Sequence, residues 1–97
     1  MSAVLDLNKI EKVAHVLKAL GNPVRIRILD LLRHQDEVSV SQISDRIEAE
    51  QSLVSHNLAN LKANGVVQSR REGKHIFYSL KMKEVIKVLE CMEQCDI

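Results

Sequence analysis

The sequence predicts a mainly α chain with one β-hairpin, in the order α-α-α-α-β-β-α. Two observations carry that prediction. Apolar residues recur at helical spacing from Leu7 to Leu61 and again beyond Met82. Between these stretches, after Gly65, the period changes to two over Val66–Arg71 and His75–Leu80. A chain of 97 residues makes one domain, expected to span 1–97.

Each element has a local cause. Ile10, Val13, Ala14, Leu17 and Leu20 form the stripe of a first helix, which Gly21 stops. Asn22-Pro23 restarts the chain, since Asn caps well and Pro fits a first helical turn. The second helix, Val24 to about Arg33, is expected to bury Ile28, Leu29 and Leu32. His34-Gln35-Asp36-Glu37 is a polar break. Ser39 with Gln42 three residues on reads as a capping box opening a short helix with Val40, Ile43 and Ile47 inside. Glu48-Ala49-Glu50 connects it to a helix over Gln51–Lys62 that buries Val54, Leu58 and Leu61, and Asn64-Gly65 ends that helix. Glu72-Gly73-Lys74 is the tip of the hairpin, with Ile76, Tyr78 and Leu80 on one face. A last helix from about Met82 carries Val85, Val88, Leu89 and Met92. Two short helices on a tight turn, then a hairpin, make a winged helix-turn-helix. The helix-turn-helix falls at about 39–64 and the wing at about 66–80.

Composition narrows the function. The hydrophobic fraction of 45% implies a packed core, and Phe77 and Tyr78 are the only aromatics, so that core is aliphatic. No apolar run approaches the roughly 20 residues of a membrane span, and the N-terminus lacks a signal-peptide pattern. The expectation is a cytoplasmic chain with no membrane partner, its Cys91 and Cys95 starting as thiols. The net charge of +1 is unevenly spread: residues 51–78 hold Lys62, Arg70, Arg71 and Lys74 against Glu72 alone. Such a patch suits a phosphate backbone. No glycine-rich phosphate loop, nucleophile elbow or paired-acid pocket is present, so an enzyme is not expected.

The outer face of the Gln51–Lys62 helix points to DNA. Gln51, Ser52, Ser55, His56, Asn57 and Asn60 are expected outside, and no acid stands among them. Asn and Ser are poor helix formers, so such a face costs helix stability. Contact with base edges, where Asn and Gln pair with adenine and Ser with several bases, offsets that cost. Arg70, Arg71 and Lys74 on the hairpin supply phosphate or minor-groove contacts. The alternative is a charged, polar surface on a protein-interaction module.

These residues resemble the ArsR/SmtB family of winged-helix repressors over nearly the whole chain. The likeness rests on LKALGNPVRIRILDLL (Leu17 to Leu32), QSLVSHNLANLKANGVV (Gln51 to Val67) and RREGKHIFYSL (Arg70 to Leu80). It implies a homodimer joined through helices at about 5–20 and 82–95. It also implies binding to double-stranded operator DNA and repression relieved by an inducer. It places Gln51, Ser52, Ser55 and His56 on DNA-contacting positions and Arg71 and Lys74 on the wing. Glu50 departs from the pattern, which often has a Ser or Thr cap there.

Many members of that family sense metals at one of two sites, and neither is expected here, with only Cys95 at a ligand-like position. Ser39 and Ser41 stand where one site has cysteines, and Met82 and Glu84 where the other opens. What remains is Cys91 and Cys95, four apart and expected on one helical face. They read as ligands for a soft ion (arsenite, zinc or cadmium) with His15 as an extra donor, as a redox or sulfur switch, or as packed small hydrophobes.

Overall fold

The structure is a computed structural model and describes residues 5–97; residues 1–4 of the expected 1–97 domain lie outside the described residues. Its elements are α1 (Leu7–Ala19), α2 (Pro23–His34), β1 (Val38–Ser39), α3 (Val40–Ile47), α4 (Gln51–Ala63), β2 (Val67–Glu72), β3 (His75–Leu80) and α5 (Glu84–Glu93). This is the winged helix-turn-helix that the sequence predicts, with one strand added. That strand, β1, is two residues long and pairs antiparallel with β3, Val38 opposite Tyr78, giving the sheet order β1-β3-β2.

Helix boundaries follow the caps. Asp6 Oδ1 accepts from Lys9 N at 2.8 Å to open α1, and Asn22 Oδ1 accepts from Val24 N at 2.8 Å to open α2. Ser39 and Gln42 close a reciprocal capping box on α3. At the far end of α4, Gly65 has φ +75°, with Val66 N bonded to Leu61 O and Gly65 N to Lys62 O. These two bonds are a Schellman stop, and they turn the chain directly into β2. At the hairpin tip Gly73 has φ +62°, which places glycine at the first central position of a two-residue, type II′ connection.

One aliphatic core joins α2, α3, α4, α5 and the sheet through Ile28, Leu29, Ile43, Val54, Leu58, Leu61, Val67, Leu80 and Val85. It fixes α4 so that one face is buried and its N-terminal turn is open. Helix α1 differs. Only Val16 and Ala19 are buried within it, whereas Leu7, Ile10, Val13 and Leu17 are 77%, 43%, 42% and 54% exposed. The stripe read from the sequence is helical, but most of it faces away from the chain's own core.

Candidate nucleic-acid interface

Helix α4 carries the candidate reading face. Gln51, Ser52, Ser55, His56 and Asn60 are all exposed. Gln51 and Ser55 share a groove of about 270 Å³ with Ser39, Ser41, Lys74 and His75. The groove thus joins the first turns of α3 and α4 to the hairpin tip, and no carboxylate lines it. Ser41 and His75 are polar groups that the sequence reading did not assign to the interface. Sequence alone offers no signal for them, because their position depends on the hairpin folding back over α3.

Asn57 corrects the sequence reading. It is 3% exposed rather than on the outer face. Its Oδ1 accepts from Arg25 Nε at 3.0 Å, and its Nδ2 donates to Leu53 O at 3.0 Å. A buried amide is stable only when its donors and acceptors are engaged, and here it pins α4 to α2. The spacing held the signal: Val54, Asn57, Leu58 and Leu61 are the i, i+3, i+4, i+7 positions of one inward stripe.

The wing is held by charge. Arg70 donates to both Glu37 oxygens, at 3.0 and 2.8 Å, and also pairs with Glu72, while its guanidinium lies 5.2 Å from the Phe77 ring centroid. The Glu37 carboxyl is held below its ordinary range by its hydrogen bonds from Arg70, and the Arg70 pKa is raised in return. Arg70 therefore ties the hairpin to the loop after α2, and two carboxylates already neutralise it. Arg71 and Lys74 make no ion pair among the described residues, so they are the wing's free cations.

Glu50 caps α4 by backbone position alone, with no side-chain hydrogen bond. Both cysteines are exposed thiols. The expected helical pairing of the two is corrected, because α5 ends at Glu93 and Cys95 lies beyond it. No group of three potential ligands exists among the described residues. His15 is not brought into one with the cysteines; its Nε2 donates to Asn64 O at 2.7 Å.

A helix-turn-helix with an acid-free polar reading face and a cationic wing defines a DNA-binding regulator. Comparison with known proteins places it further. Residues 22–69 match the arsR family of bacterial regulatory proteins. The transcriptional activator HlyU of Vibrio cholerae is 35% identical over 95% of this chain and 88% of its own. Its solved structure superposes with a TM-score of 0.81, 36% identity and coverage of 93% and 96% of the two chains. The cadmium resistance regulatory protein CadC of Listeria innocua is 38% identical over 84% of this chain and 66% of its own. A homodimeric winged helix-turn-helix domain from Mycobacterium bovis, solved by NMR, is 34% identical with a TM-score of 0.72, covering 96% and 87%. The chain belongs to the arsR family: it is a DNA-binding transcriptional regulator and not an enzyme. No described helix is long and apolar enough to cross a membrane.

Proposed function

We propose that the chain is a homodimeric repressor that binds double-stranded operator DNA in the cytoplasm and is released by chemistry at Cys91 and Cys95. The observation that carries the DNA reading is the groove in which Gln51 and Ser55 of α4 face Lys74 of the wing with no carboxylate between them. In that reading Gln51, Ser52, Ser55, His56 and Asn60 meet base edges, and Arg71 and Lys74 meet phosphates. Arg70 and Asn57 act by holding the wing and α4 in place.

Two observations support a homodimer. Leu7, Ile10, Val13 and Leu17 leave an apolar stripe uncovered along α1, and a stripe of that length marks an interaction surface. The relative from Mycobacterium bovis is homodimeric. A dimer built on α1 and α5 presents two copies of α4 to half-sites about one DNA turn apart.

Release through the thiols is the part of this reading that the exposed, helix-ending position of Cys91 and Cys95 favours. With Cys95 outside the helix, the C-terminal turn can adjust to bring two sulfurs into bonding geometry. Two thiols then give up two protons and two electrons to a peroxide-class oxidant and form one S–S bond. The likeness to CadC favours a second reading: a soft ion held by both thiolates, with further donors from a second copy. Operator binding followed by fluorescence anisotropy separates these outcomes. The reduced protein is titrated with peroxide, with arsenite and with zinc, beside a Cys91→Ser/Cys95→Ser variant. Loss of binding with peroxide alone, abolished in the variant, is the expected result. Loss with an ion alone selects the second reading. Binding that survives all three removes the thiols from regulation.

A further inference from the structure

Away from the groove, α1, α2 and α4 enclose a second recess of about 140 Å³, lined by His15, Lys18, Ala19, Arg25, Asn60 and Asn64. On a comparable measure a single water needs roughly 10–15 Å³, so the recess has room for a polyatomic ion with its water. Its polar lining is one-sided: an ammonium, a guanidinium, an imidazole and two amides, with no carboxylate.

The cations there are uncommitted. Neither Lys18 nor Arg25 forms an ion pair among the described residues. Arg25 uses Nε on Asn57, leaving the two terminal nitrogens of its guanidinium. Helix C-terminal carbonyls nearby would repel an anion, but they already have donors. Asn64 O accepts from His15 Nε2, Asn60 O from Asn64 N and Nδ2, and Lys18 O from Gly21 N.

We propose that this recess binds a phosphate-class oxyanion. Lys18 and Arg25 supply the charge, and the two terminal nitrogens of Arg25, whose Nε is held by Asn57, supply orientation, while the Asn64 amide nitrogen is held by Asn60 O and Oδ1. Two sources share that chemistry, a DNA backbone phosphate and a free small oxyanion. Helix geometry makes the first reachable. At 1.5 Å per residue, Asn60 lies about 6 Å and Asn64 about 12 Å along α4 from His56. The major groove is about 12 Å wide, so when the first turn of α4 is in the groove the recess stands near its bordering backbone. This source rests on the DNA-binding geometry proposed above; the free-oxyanion source does not.

Two measurements on the full chain decide the matter. In the first, ¹⁵N-labelled protein without DNA is titrated with inorganic phosphate at constant ionic strength against chloride, for the native chain and Lys18→Gln. In the second, the salt dependence of operator binding is compared for the same two proteins. Saturable phosphate shifts confined to His15, Lys18, Arg25, Asn60 and Asn64, and lost in Lys18→Gln, establish an oxyanion site. If Lys18→Gln also lowers the salt slope by about one per half-site, the ion is a backbone phosphate. An unchanged slope with the shifts retained in the native chain identifies a free oxyanion. A lowered slope without phosphate shifts supports the backbone source alone. No localised shifts together with an unchanged slope overturn the proposal. If the native chain fails to bind operator, the DNA reading has failed, and the phosphate titration decides the recess by itself.

Discussion

Replacing Asn57 by alanine separates residues that build the interface from residues that read DNA. The substitution removes an acceptor from Arg25 Nε and a donor from Leu53 O. The carbonyl keeps its helical partner, so that loss is small. The bond from a charged donor is worth about 1.5–3 kcal/mol, and Arg25, half-buried on the wall of an open recess, regains part of it from water. Alanine returns up to about 0.7 kcal/mol of helix propensity. The expected net cost is about 1–2 kcal/mol, a fall of roughly 5–10 °C in Tm for a chain of this size. Urea denaturation at fixed protein concentration should show a lower midpoint with an unchanged slope. Preference for operator over scrambled DNA should hold at temperatures where the variant is folded. His56→Ala should do the reverse, leaving stability within about 0.5 kcal/mol and eroding discrimination by about 1–3 kcal/mol. An Asn57→Ala protein of native stability and lost sequence preference would refute this division of labour.

Further outcomes follow from the same geometry. Lys74→Ala should weaken binding to all DNA sequences and lower the salt slope by about one per half-site, whereas Arg70→Ala should lower it less, because Glu37 and Glu72 already neutralise that charge; salt-series anisotropy checks both. Glu37 is held below its ordinary 4.5 by Arg70, so its contribution to hairpin anchoring is complete above that value and is lost as pH falls through the lowered one. The protection factors of β2 amides, taken relative to intrinsic exchange at each pH, should fall only in acid, below the ordinary carboxylate range. Leu17→Lys, on the uncovered face of α1, should shift sedimentation toward the monomer and weaken operator binding with it. Glu48 sits in the left-handed region at φ 53°, ψ 50°, and Glu48→Gly should raise the urea midpoint by the equivalent of up to about 1 kcal/mol by relieving that strain.

What could be read from the sequence was what local chemistry decides. Asn22-Pro23, the Ser39/Gln42 box and Gly65 each satisfy a helix end within a few residues, and the structure shows all three in those roles. The hairpin was legible for the same reason, through Gly73 and a clean period of two. Strand β1 was not, since two residues carry no period and become a strand only by pairing with Phe77 and Tyr78. The direction of the α1 stripe was hidden as well, because a helical period does not say which body covers it. Asn57 is polar, which suggests an outer face, but its place in the Val54, Leu58 and Leu61 stripe decides its burial. Cys95 continues the helical spacing from Cys91, but α5 ends two residues before it. The contacts of Arg70 depend on Glu37, 33 positions away, a separation that residue spacing cannot bridge.

The central claim is that α4 and the wing read a DNA sequence. The direct measurement is fluorescence anisotropy of the reduced protein on labelled DNA from its own upstream region and on a scrambled duplex of equal composition, across a salt series. The account predicts tighter binding to the upstream duplex at every salt concentration and a steep loss of affinity for both as salt rises. Equal affinity for the two duplexes at every salt concentration, or no binding at low salt, would contradict it.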